Sequence, residues 1–290
     1  MEYINKSVNE KTGNRIVDNY LESECWVEEE QRYANVGYEG SFKDKGYREH
    51  LQEELMKNQH CLCCYCMRNL SSENVTLEHI IPESFKWPDD EEKYKEYTRL
   101  NMSYLTEQFV ELESTFKSRR PQSIPPYPHS VSYYNLVVSC DGSFPDMIGS
   151  HQCCNNKRGN NFVIPFFFDD GIKDKIVYLI NGYIQMKDVK EKAAVYSSSI
   201  NYLKLNCSNL KNVRRLWYLF HNFDMVLLNK AVKDRNIRIK SLLQVLFREK
   251  DFLVQDAEIY KNFQIDIYWE TFLKYQWFKS YYQKKYSCQS

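Results

Sequence analysis

Seven of the chain's ten cysteines fall between Cys61 and Cys154, in two groups on either side of a Glu-His pair. Cys63 and Cys66 have the two-residue spacing that lets both thiolates reach one Zn²⁺ from a tight turn. Cys140 and Cys154 complete a four-cysteine set. A set of that kind is closed: it holds a structural metal and leaves no position for water or substrate. Any fold must therefore bring two distant stretches of chain to one point. Assignment inside the groups stays open, because Cys61 and Cys64 share the same spacing, Cys153 competes with Cys154, and His151 stands where it would replace a thiolate. Cys61, Cys64 and Cys153 read best as bystanders, and the scattered Cys25, Cys207 and Cys288 as ordinary small hydrophobes.

Metal binding is preferred over disulfides because the chain reads as cytoplasmic. Its start, Met-Glu-Tyr-Ile-Asn-Lys, has no apolar stretch of the signal-peptide kind, and nowhere do 18 apolar residues run together. A reducing compartment keeps thiols available for metals. With 39 basic and 39 acidic residues the net charge is near zero. A stand-alone, non-specific nucleic-acid binder usually carries a basic excess. Contact with nucleic acid would then be local, or a partner would supply part of the affinity.

Three stretches follow from the patterning. Residues 1–46 are polar, yet Trp26 and several tyrosines suggest that they pack on the body. Residues 47–165 hold both cysteine groups: a helix is expected over Tyr47–Gln59, a helical insertion over about 86–130 closing on a proline-rich run, and a strand over Val131–Ser139. Residues 166–290 form the third. Segments Phe162–Phe168 and Ile176–Ile180 read as strands, with Asn181-Gly182 as a two-residue hairpin turn. From Asn209 a helix is expected whose apolar face is Leu210, Val213, Leu216, Trp217 and Phe220, with Arg214 and Arg215 off that face; Lys240–Phe247 continues in the same manner. Residues 258–286 hold eleven aromatics, either the core of a helical layer, which we prefer, or a docking face for a partner.

The chemistry centres on Glu78-His79. An imidazole with an ordinary pKa near 6.5 takes a proton from water near neutral pH. A carboxylate next to it in sequence can hold a hard divalent ion, and the Asn155 amide oxygen would be a second ligand. Asn135 would hydrogen-bond and fix the loop carrying His79. Lys157 and Arg158 follow closely enough to touch phosphate.

These residues resemble the HNH endonuclease family, whose ββα-metal core joins a hairpin to a helix around one catalytic divalent ion. The resemblance runs through Cys63/Cys66, Glu78-His79, Asn135-Leu136, Cys140, and Cys154-Asn155 with Arg158-Gly159. It implies that His79 is the general base, that Glu78 and Asn155 hold the catalytic ion, and that Asn135 orients the base. One departure is plain: thirteen residues separate Cys140 from Cys154, where the family usually has two. In this form the chain is similar to a narrower branch, the PtuB-like HNH component of Septu anti-phage systems and its relatives encoded beside retrons. The match is specific over about 50–165 and looser to about 220, where Ile164-Pro165, Tyr178–Gly182, Ile200–Asn206, Leu210 and Arg214 take part.

The expected architecture is α+β: a zinc-stapled ββα-metal (HNH, His-Me finger) core with a helical insertion and a mostly helical C-terminal region. The expected cofactors are structural Zn²⁺ and catalytic Mg²⁺ or Mn²⁺. The resemblance further implies a nucleic-acid substrate, DNA by default with RNA left open, and an ABC/SMC-like (PtuA-like) ATPase partner in a complex that would also admit homo-oligomers. The rival readings are an RNA- or tRNA-cleaving toxin-like nuclease and a non-catalytic zinc module.

Overall fold

In the computed structural model, residues 1–85, 92, 127–144, 152–159, 161–187, 193–226 and 269–286 are described. The expected insertion, the helix over Lys240–Phe247 and His151 lie wholly or mostly outside them. The described residues combine helices with three small antiparallel sheets of two strands each, an α+β arrangement.

The central pair is β1 (Val75–His79) with β2 (Leu136–Cys140), antiparallel, with Val75 opposite Cys140 and His79 opposite Leu136. A two-stranded ladder alone is marginal in water, so its stability has to come from what surrounds it. Every residue of β2 is buried. Its open edge is covered by the end of helix α2 (Tyr47–Asn58), the helix foreseen from spacing. There Gln59 imitates a strand: its Oε1 accepts from Val138 N–H and its Nε2 donates to Val138 O, both at 2.8 Å. The backbone N–H of Cys64 donates to the same carbonyl at 3.2 Å, so no bare edge remains at that residue.

Residues 1–46 enter this core. Helix α1 (Glu10–Tyr20) packs against α2. Ile4 N–H donates to Phe167 O at 2.8 Å. Lys6 is half-buried beneath the start of β2, where its Nζ donates to the carbonyls of Tyr133 and Leu136 and lies 4.4 Å from the centre of the Tyr133 ring. Burial pushes that ammonium's pKa well below its ordinary value, and the two carbonyls and the ring face supply the compensation a buried cation needs.

Beyond the core, short helix α3 (Asn155–Arg158) precedes hairpin β3 (Ile176–Tyr178) and β4 (Ile184–Met186). Helices α4 (Ala193–Tyr202) and α5 (Ser208–Phe220) follow, and α6 (Trp277–Tyr286) packs on α5. Buried Phe272, Tyr275, Phe278 and Tyr282 make much of that aromatic region core rather than surface; Trp217 stacks on Phe272 at 4.2 Å.

Four expectations are corrected. Val131–Asn135 is a turn and a 3-10 segment, and the strand starts only at Leu136. Phe162–Phe168 is no strand: Phe166–Phe168 is a 3-10 turn whose Phe166 and Phe167 bury against Tyr65. The Asn181-Gly182 turn is longer than two residues, since Gly182 N–H donates back to Leu179 O and Leu179 N–H to Tyr183 O. Gly182 has φ +82, and a Cβ there would lie 2.0 Å from Lys211 O, so both the turn and the α5 backbone require glycine. Arg214 and Arg215 are buried: Arg214 donates to Leu205 O (2.8 Å) and Gly182 O (3.2 Å), and Arg215 to Ile180 O (2.9 Å). They satisfy loop carbonyls that a helical projection cannot reveal.

Candidate metal centre and adjoining cleft

The thiol sulfurs of Cys63, Cys66, Cys140 and Cys154 all lie within 4.8 Å of one another, and all four residues are buried. Cys63 and Cys154 are 3.9 Å apart, Cys66 and Cys140 3.7 Å. A tetrahedron of Zn–S bonds near 2.3 Å has edges of about 3.8 Å, so the cluster has the size of a zinc cage. Burial holds the Cys66 and Cys154 thiols well above their usual pKa. Cys63 moves the other way: burial opposes the shift, but hydrogen bonds from its neighbours, Cys140 first, pull it well below. Four thiolates this close in a buried pocket would need a cation, and Zn²⁺ would supply that charge. The donor set fits a structural metal such as zinc.

The local backbone shows how the cage forms. Cys63 to Arg68 closes as a knuckle: Cys63 N–H donates to Arg68 O, Met67 N–H to Cys63 O, and Met67 takes φ +62. The thirteen residues between Cys140 and Cys154 do not separate the two sulfurs, because the chain returns to where it left. Cys153 N–H donates to Gly142 O at 3.1 Å, and a Cβ on Gly142 (φ +70) would lie 2.1 Å from Cys153 O. Cys154 itself sits at φ +55, ψ −133, a region costly for any side-chain-bearing residue. That conformation sends its sulfur into the cage and starts α3 toward β1. Cys153 stands beside the cage, 3.5 Å from the Cys154 sulfur. Cys64 is buried nearby and Cys61 is exposed.

Helix α3 meets β1 by periodicity. Residues 155 and 158 share one helix face, as Thr76 and Glu78 share one strand face. Asn155 Nδ2 donates to Thr76 Oγ1 at 3.4 Å, and Arg158 pairs with Glu78. Beside this contact lies a cleft of about 300 Å³ lined by Glu78, His79, Glu83, Asn155 and Arg158, among others. Glu78, His79 and Asn155 thus share one cavity, next to the cage. Tyr65, between the two knuckle cysteines, lies 3.4 Å from Glu78 Oε1 through its hydroxyl and joins the two sites.

His79 Nε2 lies 2.7 Å from Ser130 O. A carbonyl only accepts, so Nε2 carries the proton and the neutral ring keeps its lone pair on Nδ1. Burial lowers the His79 pKa to about 4, which leaves the ring uncharged at neutral pH. The Tyr38 ring meets it edge-on at 4.7 Å. Asn135 makes no hydrogen bond to the His79 ring but ties together the two segments that flank it. Its Nδ2 donates to Ile81 O (2.9 Å) and His129 O (2.8 Å), its Oδ1 accepts from Ile81 N–H (2.8 Å), and its own carbonyl accepts from Ile80 N–H (2.8 Å). The segment after His79, and the His129 carbonyl one residue before the Ser130 carbonyl that holds the ring, are therefore fixed to one buried amide.

Burial raises the Glu78 carboxyl pKa in spite of Arg158 beside it. Its Oε1 takes Arg158 and the Asn155 Nδ2 is directed to Thr76, so Glu78 Oε2 and the Asn155 amide oxygen are the hard donors these two cavity-lining residues have left, the kind that Mg²⁺ and Mn²⁺ take. The expectation that Arg158 presents itself to nucleic acid is corrected. It is 2 % exposed, and its guanidinium is spent on Glu78 and on the carbonyls of His79 and Ile80. Lys157 is exposed. Sequence reasoning did not find Ser130, Tyr38, Lys6 or Gln59, whose roles come from neighbours far along the chain. No helix among the described residues is long and apolar enough to cross a membrane. No protein-family model matches the chain, nor does any curated protein.

Proposed function

We propose that this protein is an HNH-type endonuclease that hydrolyses nucleic-acid phosphodiester bonds, DNA by default, on a zinc-stapled ββα-metal core. The observation that carries the reading is the His79 ring, held at Nε2 by Ser130 O with its Nδ1 lone pair left for a proton, beside Glu78 and Asn155 in one cleft. In the reaction, Nδ1 accepts a proton from water as its oxygen attacks phosphorus, the phosphorus–oxygen bond to the leaving strand breaks, and the leaving oxygen takes up a proton from solvent. The Ser130 carbonyl steadies the resulting imidazolium through Nε2–H, and Asn135 anchors the neighbouring His129 carbonyl of the same loop. A base with a pKa near 4 is weak, and the negative phosphate beside it raises its proton affinity when substrate is bound. A Mg²⁺ or Mn²⁺ ion held by Glu78 and Asn155 would acidify the water and offset charge on the phosphate and leaving oxygen. Lys157, exposed at the start of this region, is placed to meet the backbone.

Plasmid nicking by zinc-loaded protein with Mg²⁺ or Mn²⁺ tests the reading. His79→Ala should reduce cleavage by about a hundredfold or more while keeping its zinc and melting temperature. A variant that cuts as well as wild type would sink the mechanism. A parallel incubation with tRNA separates the two substrate classes. The neutral charge balance and the Septu resemblance support action with an ABC/SMC-like ATPase in the cytoplasm. Co-purification of such a partner from its native neighbourhood tests that part.

A further inference from the structure

Glu78 is the buried carboxylate of the cleft, and a guanidinium already holds it. Arg158 cannot swing aside cheaply, because it also donates to the carbonyls of His79 and Ile80 and is buried with Glu78. Glu83, the other carboxylate lining the cleft, is exposed. A divalent ion approaching Glu78 Oε2 therefore meets a carboxylate whose charge is cancelled, with a fixed positive charge on its other oxygen. At separations of a few ångströms that repulsion is large in a partly desolvated cleft. An anion entering the cleft reverses the balance, and a phosphodiester is such an anion.

We infer that Arg158 makes divalent-ion binding at Glu78 depend on the substrate phosphate, so that ion and nucleic acid load together and the empty cleft stays largely metal-free. The inference rests on the nuclease reading for the identity of the anion, but the effect of Arg158 on the ion does not. A positioning arginine of this kind keeps hydrolytic power off until a strand arrives.

Mn²⁺ binding to zinc-loaded protein, followed by electron paramagnetic resonance, reads this without turnover, with Glu78→Gln as the control that marks the site. Wild type should bind Mn²⁺ weakly alone and about tenfold or more tighter with a short DNA duplex, measured in a His79→Ala background to prevent cleavage. Arg158→Gln should tighten Mn²⁺ binding without DNA by about tenfold, while Arg158→Lys, which keeps the charge, stays near wild type. Equal affinities for the Gln and Lys variants, or a wild type that binds Mn²⁺ equally well with and without DNA, would overturn the inference. If Arg158→Gln does not fold, the wild-type comparison alone decides. Failure of the nuclease reading would show separately, as absent plasmid cleavage with the Mn²⁺-alone contrast between Gln and Lys intact.

Discussion

The sulfur cage and the neighbouring cleft are built on the same two strands, yet they differ in almost every physical respect. The cage is closed, dry and made of four soft donors at one end of the ladder, where Cys140 faces Val75. The cleft is open, holds oxygen and nitrogen donors, and gathers around the other end, where His79 faces Leu136. A closed set of ligands spends its whole coordination capacity on the fold. An open one leaves room for water and a phosphate. A five-residue ladder that is marginal alone thus has a cage of metal-ligand type at one end and an open polar cleft at the other.

The strongest way to break this contrast is to empty the cage. Chelation of zinc, or Cys66→Ser, should abolish cooperative thermal unfolding, a loss of about 5 kcal/mol or more, read by circular dichroism alongside zinc content. Glu78→Gln should leave the zinc content unchanged. If the cage can be emptied without loss of structure, it is not the staple.

Asn135→Ala sharpens the division at the cleft end. It strands several buried backbone groups, so stability in urea should fall by about 3–4 kcal/mol and cleavage should drop with zinc still bound. A loss of zinc in that variant would mean that the two ends are not independent.

The pH dependence gives a third test. His79 has a folded pKa of about 4 against about 6.5 in an unfolded chain. Between those values the unfolded chain takes up a proton that the folded one does not, so folding stability falls as pH drops from 6.5 toward 4 and is flat above. The drop should be at most about 3 kcal/mol, and it should vanish in His79→Gln when the two proteins are compared by urea melts. An equal acid loss in both would place the titrating group elsewhere. The smallest effect is expected at Lys157, where Lys157→Ala should change stability by less than about 0.5 kcal/mol. It should reduce the salt dependence of nucleic-acid binding by about one phosphate contact.

Much of the cage was legible in the sequence, because a metal restricts ligand type and spacing so tightly that Cys63 and Cys66 announce it. The cleft was legible in its residue types but not in its supports. Nothing local says that Ser130 holds His79, that Tyr38 lies against its ring, or that Arg158 turns inward to Glu78. Those contacts join positions some forty to eighty residues apart, and periodicity carries no information over such separations. The segments misread as strands failed for a related reason. Phe166 and Phe167 are apolar because they fill a hole beside Tyr65, not because they alternate along a sheet.

The pinch between Gly142 and Cys153 has a consequence for how this chain can change. Because closure happens at the pinch, the meeting of the second pair of sulfurs hangs on one backbone approach, and any side chain at Gly142 would push Cys153 away and pull the Cys154 sulfur out of its corner.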